Sequence, residues 1–241
     1  MKEFEGKIAV VTGGARGIGR CVALEFEKQG AQVCVIDQVP GPHYVGDLSR
    51  KEDLEAFAAY VYKEYGCVDY LINNAMPLMK GIADCSYEEF QYALAVGVTA
   101  PFYLTKLFQD YFRPGGAIVN LSSSRQRMSQ PQTESYTAAK GGIGALTHGL
   151  AMSLAGKVRV NAVAPGWIDS DETGYHGADA WQQPVGRVGT PMDVANLILF
   201  LCSEKAGFLT GETIYLDGGM TRQMIYHGEE GWSYEGKKRH I

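Results

Sequence analysis

Short apolar segments alternate with longer amphipathic segments along almost the whole chain, and this alternation restricts the fold more than any other feature. The apolar segments lie at residues 7–14, 31–37, 69–75, 116–123, 158–166 and 212–219. Most are apolar at consecutive positions, as strands are when helices cover both faces of a parallel sheet. The sequence therefore predicts an α/β fold, a doubly wound parallel sheet flanked by helices in a single domain.

Segments with helical periodicity separate these predicted strands. They lie at residues 17–29, 49–66, 86–111, 134–155 and 191–203. Ser49 is the expected N-cap of the second helix, Gly66 its end, and Pro191 the start of the last helix. No helix is expected between Asp37 and Asp47, because the intervening segment is short and contains Pro-Gly-Pro.

Composition limits the classes of function that the chain can have. It has 241 residues, of which 46% are hydrophobic and 20% charged, and a net charge of −5. These values are typical of a soluble globular protein, and without a long basic run they argue against nucleic acid or a membrane as a partner. We expect a catalytic domain over residues 1–220 and a mostly polar tail over residues 221–241, with Trp232 and Tyr234, as surface or oligomer contact.

The cysteine and histidine patterns indicate neither a disulfide framework nor a metal site. The chain contains five cysteines and five histidines. The cysteines are widely spaced without a Cys-x-x-Cys pair, and the histidines lack the spacing of metal ligands. The N-terminal segment has no secretory character. We therefore expect free thiols in a reducing, cytoplasmic compartment and no metal.

A glycine-rich segment, TGGARGIG at residues 12–19, connects the first predicted strand to the first helix. In this position, backbone N–H groups and the helix N-terminus face a pyrophosphate, and the missing Cβ atoms let it approach closely. Asp37 lies at the end of the second predicted strand, where a carboxylate can accept hydrogen bonds from both ribose hydroxyls of an adenosine. Together these features predict a dinucleotide site.

Asp37 also bears on the choice between the two nicotinamide dinucleotides. Its carboxylate would repel the 2′-phosphate of NADP and accept the free hydroxyl of NAD. Arg16 argues the other way, because a guanidinium in the loop can bind a 2′-phosphate. We expect NAD, with NADP as the alternative, and Asp47 as a candidate for the edge of the adenine.

Several segments in register resemble the short-chain dehydrogenase/reductase family. They are the glycine-rich segment, DL at 47–48, NNA at 73–75, Ser123, YTAAK at 136–140, PGW at 165–167 and LDGG at 216–219. The resemblance implies a Rossmann-like sheet of about seven strands, a bound nicotinamide cofactor, and the oxidation of an alcohol or the reduction of a ketone. It also implies a homodimer or homotetramer joined through the helices at 86–111 and 134–155.

The resemblance assigns roles to individual residues. Tyr136 matches the catalytic acid/base, Lys140 its partner, and Ser123 the residue that hydrogen-bonds the substrate oxygen. Asn73 matches a residue that braces the central sheet. The expected cofactor contacts are Gly13, Arg16, Gly17, Ile18, Gly19, Asp37, Asp47, Leu48, Asn74, Ala75, Tyr136, Lys140, Pro165, Gly166 and Ile168.

The spacing of Tyr136 and Lys140 explains how they can act together. Residues at i and i+4 share one face of a helix. A free tyrosine has a pKa of about 10 and is a poor base at pH 7. We expect the Lys140 ammonium and the positive ring of an oxidised nicotinamide to lower that pKa by about two units, or roughly 2.7 kcal/mol. Tyr136 would then accept the alcohol proton as hydride leaves the carbon.

The chain departs from the family pattern at two positions. Met76 stands where the family usually has glycine, and it adds apolar bulk near the expected nicotinamide ribose. Gly97 stands where the family has an asparagine that holds a proton-relay water. A glycine inside a helix costs roughly 1 kcal/mol relative to alanine. We hypothesise that Gly97 permits a local kink with room for water bound by backbone carbonyls.

Two segments are expected to border the substrate. The polar loop after Ser123 contains Arg125, Gln126, Arg127, Gln130 and Gln132. This composition indicates either a polar or anionic substrate or a solvent-exposed loop whose charges are unrelated to a substrate. A short lid at residues 169–187 follows, rich in glycine and acidic residues, with Tyr175, His176 and Trp181 available for contacts. The resemblance implies that Ser170 stands where the family often has a threonine that touches the nicotinamide amide.

Three functions are open at this point. The first is an NAD-dependent dehydrogenase of a small polar alcohol such as a sugar, polyol or hydroxy acid. The second is an NADPH-dependent 3-oxoacyl thioester reductase, for which Arg16 and the two loop arginines can serve. The third is a dinucleotide-binding protein with little catalysis, which Gly97 and Met76 favour and the complete set of Ser123, Tyr136 and Lys140 disfavours.

Overall fold

A computed structural model, which describes residues 2–233, has seven strands in one parallel sheet. The strands are β1 (Ile8–Thr12), β2 (Gln32–Asp37), β3 (Tyr44–Val45), β4 (Val68–Asn73), β5 (Phe112–Leu121), β6 (Val158–Pro165) and β7 (Thr213–Leu216). Their spatial order is β3-β2-β1-β4-β5-β6-β7, so the order reverses between β1 and β4. The predicted doubly wound, Rossmann-like α/β fold is confirmed.

Helices cover both faces of this sheet. They are α1 (Gly17–Lys28), α2 (Lys51–Tyr65), α3 (Tyr87–Leu94), α4 (Ala100–Phe108), α5 (Glu134–Ser153), α6 (Ala178–Trp181) and α7 (Pro191–Cys202). On one face, Phe26 of α1 and Ile198 of α7 are fully buried in a core with β1 and β4. On the other face, α2, α4 and α5 bury a second core that includes Phe57 and Phe108. The two apolar sides explain why the strands are apolar at consecutive positions.

The structure confirms some predicted helix boundaries and corrects others. Gly66 ends α2 in the left-handed conformation, with φ 71°, and Pro191 begins α7. Ser49 is not the N-cap of α2, because its backbone N–H donates to the Asp47 carboxylate and the helix begins two residues later. Asp47 thus forms a local turn that competes with capping by Ser49.

Two short elements were not predicted. β3 is only two residues long and follows the proline-containing segment, which has no helix, as expected. α6 is a single turn inside the predicted lid. Neither element is long enough to show periodicity in the sequence.

The helix predicted over residues 86–111 is interrupted at Gly97. α3 and α4 are joined by a π-helical segment, Ala95–Thr99, with Gly97 buried at its centre. A Cβ atom at position 97 would lie 2.7 Å from the Cβ of Ala139 on α5. The hypothesised local distortion is therefore present, and it brings this segment against the helix that carries Tyr136 and Lys140.

The end of the chain has no regular structure within the described residues. Residues 222–233 form turns, and most of their side chains are exposed, Met224 at 75%. Trp232 is 43% exposed. Tyr234 and the rest of the tail lie outside the described residues, and the domain boundary at residue 220 stays a prediction.

Residues 2–233 contain neither a candidate membrane-spanning helix nor a candidate metal-binding cluster. No helix in this part of the chain combines the length and the apolar character needed to cross a membrane. No group of three or more His, Cys, Asp or Glu side chains in the same residues is placed to hold a metal ion.

Candidate active site

The glycine-rich loop lies where the strand order reverses, at the carboxyl end of β1. A Cβ at Gly19 would be 2.2 Å from the Gly13 carbonyl oxygen, and Gly13 itself has φ 66°. A side chain at Gly13 would also be 2.8 Å from the Cα of Ala75, which follows β4. These close approaches shape a bare backbone loop at the start of α1, as a pyrophosphate site requires.

Asn74 holds this loop in place from the neighbouring strand. Its side-chain amide donates to the carbonyls of Thr12 and Gly13, at 3.0 and 2.9 Å. The Thr12 hydroxyl accepts the backbone N–H groups of Asn74 and Ala75 in return. The amide of Asn74, predicted as a cofactor contact, thus braces the loop, a role that the sequence did not indicate.

The structure places Asp37 beside the same loop. One carboxylate oxygen accepts the backbone N–H of Ala15 at 3.0 Å, and the other accepts the N–H of Val39 at 3.0 Å. Each oxygen retains a lone pair, so the carboxylate can still accept ribose hydroxyls. Arg16 is the exposed residue that precedes α1, and its side chain makes no capping bond.

The other expected cofactor contacts surround the loop. Gly17 and Ile18 open α1, and a Cβ at Gly17 would lie 3.6 Å from Ser170 of the lid. Asp47 is half-buried and Leu48 is buried.

The segment after β6 borders the same edge of the sheet. Pro165 ends that strand, and Gly166 packs so closely on Asp217 that a Cβ would be 2.8 Å from it. Ile168 pairs with Gly189 in an isolated parallel bridge, which joins the two ends of the lid.

Ser123, Tyr136 and Lys140 come together at the carboxyl end of β5. Ser123 directly follows the strand region and is buried, while Tyr136 and Lys140 lie on the first turns of α5. The Lys140 ammonium donates to the Leu121 carbonyl at 2.5 Å and lies 5.6 Å from the centre of the Tyr136 ring. The Ser122 hydroxyl donates to the Lys140 carbonyl at 2.8 Å and ties α5 to β5. The structure thus brings the three predicted residues together, and their catalytic roles stay predictions.

The electrostatics of the cluster differ from the expectation. Burial raises the pKa of Tyr136 above its usual value, although the hydrogen bond with Ser123 and the charge of Arg125 lower it. Burial also lowers the pKa of Lys140 to about 8. In the protein without cofactor, Lys140 is not among the groups that lower the Tyr136 pKa, and the lowering expected with an oxidised nicotinamide bound stays a prediction. The cation that lowers it here is Arg125.

A loop after β4 packs against the beginning of α5 and is hydrogen-bonded to it. No feature of the sequence predicted this contact. Ser135 is fully buried, and its hydroxyl donates to the Leu78 carbonyl at 2.9 Å while accepting the Lys80 N–H at 2.8 Å. Gly81 packs on the backbone of Gln132, where a Cβ would be 2.1 Å away. We call residues 76–85 the clasp loop. It fixes the helical turn that carries Tyr136.

A directed chain of buried hydrogen bonds runs under the site. The Thr147 hydroxyl donates to the Ile143 carbonyl, so it accepts the Asn120 amide at 3.0 Å. The Asn120 carbonyl oxygen then accepts the Asn73 amide at 2.8 Å, across β4 and β5. This is the bracing that the resemblance implied for Asn73.

Among residues 2–233, the buried Asn73 Oδ1 atom has no hydrogen-bond partner. Asn73, Gly97 and Lys140 line a cavity with about 10 Å³ of room for the centre of a water molecule. That volume is roughly what one water needs. Water bound beside Gly97 stays a prediction, and its partner here would be the Asn73 side chain in addition to backbone carbonyls.

The polar loop after Ser123 is only partly available to a substrate. Arg127 stacks 4.3 Å over the ring of Tyr215, and the Gln126 amide donates to the Tyr215 hydroxyl at 2.7 Å. Gln132 accepts the Ala83 N–H of the clasp loop. Most of these side chains therefore contact the protein itself, and the expectation that the loop borders the substrate stays a prediction.

The lid folds partly on itself. Trp167 and Tyr175 contact each other, with ring centres 4.4 Å apart. The Asp169 carboxylate accepts the backbone N–H groups of Thr173 and Gly174, which lowers its pKa. Trp181 is 73% exposed and is free to contact a ligand.

Similar proteins of known name cover nearly the whole chain. A family model described as enoyl-(acyl carrier protein) reductase matches residues 13–221. An uncharacterized oxidoreductase of Thermotoga maritima is 37% identical, covering 92% of this chain and 99% of that protein. A glucose 1-dehydrogenase of Gluconobacter oxydans is 33% identical over 95% and 97% of the two chains. The 3-oxoacyl-[acyl-carrier-protein] reductase FabG of Thermotoga maritima is 32% identical over 90% and 98%.

Solved structures of similar proteins have the same fold. An apo SCOR enzyme from Clostridium thermocellum has a TM-score of 0.90 and 42% identity, covering 97% of this chain and 99% of that one. A glucose/ribitol dehydrogenase of the SDR type from Brucella melitensis has a TM-score of 0.85 and 31% identity, over 93% and 100%. A short chain dehydrogenase from Burkholderia cenocepacia, in complex with NADP, has a TM-score of 0.84 and 25% identity, over 91% and 99%.

Proposed function

The chain belongs to the short-chain dehydrogenase/reductase family of nicotinamide-dependent oxidoreductases that act on CH–OH groups, and from this premise we propose the reaction and its residues. The protein transfers a hydride between NAD(H) and a small polar alcohol or ketone, of the sugar, polyol or hydroxy acid type. The observation that carries the proposal is the cluster of Ser123, Tyr136 and Lys140 beside the bare glycine loop.

The dinucleotide fits the residues around that loop. A Cβ at Gly13 or Gly19 would overlap Ala75 or the Gly13 carbonyl, so only glycine lets the loop keep the tight turn that presents its backbone to a pyrophosphate, and Asp37 offers carboxylate oxygens to the adenosine ribose. When bound, the nicotinamide accepts or donates the hydride, and its oxidised form brings a positive charge near the phenol. That charge would offset the rise that burial causes in the Tyr136 pKa.

Each of the three clustered residues has a separate task. Tyr136 accepts the hydroxyl proton during oxidation and returns it during reduction. Ser123 hydrogen-bonds the same oxygen and holds it as its charge changes. Lys140 is held by the Leu121 carbonyl, so its ammonium stays next to the phenol ring of Tyr136.

The test is turnover of a panel of small alcohols and ketones, followed by nicotinamide absorbance. Tyr136→Phe should lose activity by about 100- to 10,000-fold, the usual contribution of a general acid/base. Tyr87→Phe is the matched control, since Tyr87 is 72% exposed on α3. Equal activity of wild type and Tyr136→Phe would contradict the proposed role, and no turnover of any pair would favour the dinucleotide-binding protein.

Asp37 supports NAD over NADP as the cofactor. The Asp37 carboxylate lies at the carboxyl end of β2, and the exposed Arg16 has no fixed partner there. Affinities for NAD and NADP should differ by at least about tenfold in favour of NAD, and Asp37→Asn should reduce that difference. Tighter binding of NADP by the wild type would overturn the choice and agree with the cofactor of the Burkholderia protein.

The alternative is an NADPH-dependent reductase of 3-oxoacyl thioesters. Three large apolar side chains of the clasp loop are exposed, Met76 at 73%, Met79 at 51% and Ile82 at 84%. Such a surface can pack against an acyl chain, and the similarity to FabG supports it. Faster reduction of acetoacetyl thioester with NADPH than of any small polar ketone would establish this alternative.

We also propose a homodimer or homotetramer in a reducing, cytoplasmic compartment. Phe102 on α4 and Met152 on α5 are 46% and 65% exposed, so the faces expected at the interface carry apolar groups. All five cysteines are free. Light scattering of the purified protein would measure the mass, and a monomer would contradict the assembly.

A further inference from the structure

We propose that Arg125 is the specificity-determining residue of this site and that the substrate is a hydroxy acid or oxo acid whose carboxylate binds its guanidinium. The inference rests on the proposed function, because it takes Ser123 and Tyr136 as the residues that hold the reacting oxygen. It narrows the substrate class from small polar molecules to carboxylates.

Arg125 lies beside the reacting groups. It belongs to a short 3₁₀ turn, Ser124–Gln126, that directly follows Ser123. Its backbone N–H donates to the Ser123 hydroxyl at 3.2 Å. The side-chain charge also lowers the pKa of Tyr136, so the guanidinium is within electrostatic reach of the phenol. A substrate oxygen held by Ser123 and Tyr136 would therefore have this cation as a neighbour.

The Arg125 guanidinium has no counter-ion in the part of the chain that the structure describes. Its Nη2 atom donates to the neutral amide oxygen of Gln130 at 2.6 Å. Its Nη1 atom is shielded from water and makes no hydrogen bond. Arg125 takes part in none of the ion pairs between described residues. A partly buried cation without an anionic partner is unfavourable, and a ligand that brings a negative charge removes this penalty.

The other polar side chains of the loop already have partners in the protein. Arg127 is stacked on Tyr215, and Gln126 is bonded to the hydroxyl of the same ring. Gln132 is bonded to the clasp loop. Within the described part of this loop, Arg125 is thus the cation whose charge remains unpaired beside Tyr136.

A single guanidinium fits a carboxylate. The planar fork of arginine binds carboxylate oxygens in a bidentate manner. A phosphate ester carries up to two negative charges and would need a second cation. The second arginine of the loop, Arg127, is stacked on Tyr215, so a carboxylate fits the site better than a phosphate. In the reaction, the carbinol carbon loses a hydride to the oxidised dinucleotide and its hydroxyl loses a proton to Tyr136. The C–O bond becomes C=O and the carboxylate is unchanged.

The experiment compares each acid with an uncharged isostere. The substrates are 2-, 3- and 4-hydroxybutyrate and the corresponding hydroxybutyramides, tested with both oxidised dinucleotides. The wild type should prefer one acid over its amide, and Arg125→Met should reduce the acid-to-amide ratio of kcat/KM by about 100-fold. Arg125→Lys should fall between them, because an ammonium lacks the fork. Arg127→Met removes the same charge nearby and should leave the ratio unchanged.

A binding measurement separates this inference from the proposed reaction. Butyrate and butyramide have no hydroxyl to oxidise, and their binding to the protein with oxidised dinucleotide can be titrated by calorimetry. Tighter binding of butyrate that is lost in Arg125→Met supports the carboxylate site even if no hydroxybutyrate turns over. A different outcome overturns the carboxylate site but leaves the proposed reaction standing. In that outcome the amides turn over in a Tyr136-dependent manner, and the acid-to-amide ratio of kcat/KM is equal in wild type and Arg125→Met. Equal affinity for butyrate and butyramide in the wild type also overturns it.

Discussion

Gly97 should resist replacement even by alanine, because the π-helical segment lies against α5. The new Cβ would be 2.7 Å from the Ala139 Cβ, and 3.2 and 3.3 Å from two Pro77 carbons. Carbon atoms in contact are normally about 3.5–4.0 Å apart. Ala139 and Pro77 are buried and their side chains are too short to move aside. The π-helical segment itself must therefore shift, which typically costs about 1–3 kcal/mol.

The net effect of Gly97→Ala also includes a gain in helix propensity. Alanine is favoured over glycine by roughly 1 kcal/mol inside a helix. Subtracting this gain from the packing cost leaves a net loss of stability up to about 2 kcal/mol. Because Ala139 is adjacent to Lys140, the shift should also lower kcat more than it changes KM. Asparagine at position 97 would add the same Cβ and should behave no better than alanine.

The assay is urea denaturation of four proteins: wild type, Gly97→Ala, Ala139→Gly and the double variant. If the Cβ–Cβ overlap causes the loss, Ala139→Gly should reduce it, giving a favourable coupling of about 1 kcal/mol or more. Turnover of the double variant should recover in parallel. Additive effects of the two changes, that is, no coupling between Gly97→Ala and Ala139→Gly, would refute the overlap.

Three further predictions concern the support of the catalytic cluster. Because burial lowers the Lys140 pKa to about 8 from 10.5, the unfolded chain binds more protons between these values. The free energy of unfolding should therefore rise with pH from about 8 to 10, by about 2–3 kcal/mol more in wild type than in Lys140→Met. Ser135→Ala removes the hydroxyl that holds the clasp loop, and should lower kcat about tenfold and shift its pH profile, whereas Ser153→Ala, on the exposed end of α5, should do neither. Thr147→Val leaves the Asn120 amide without its acceptor and should cost about 1–3 kcal/mol in urea denaturation; a change below 0.5 kcal/mol would show that the hydrogen-bond chain is not directed as described.

The local sequence was sufficient for the sheet, the glycine-rich loop and the shared helical face of Tyr136 and Lys140. Each depends on a pattern within a few neighbouring residues: a buried strand, a turn that only glycine permits, or a helical spacing of i and i+4. Residues that belong to these patterns, such as Gly13, Gly19 and Lys140, could therefore be predicted together with the element on which each one lies.

Tertiary contacts decided how the site works, because they join residues far apart in the chain. The distortion at Gly97 depends on Ala139, the clasp on Ser135 depends on Leu78 and Lys80, and neither pairing has a sequence signal. The electrostatics likewise follow from burial, which raises the pKa of Tyr136, lowers that of Lys140, and leaves Arg125 beside them with an unpaired charge. A sequence states which groups are present, but desolvation and partner choice are set by what the fold packs around them.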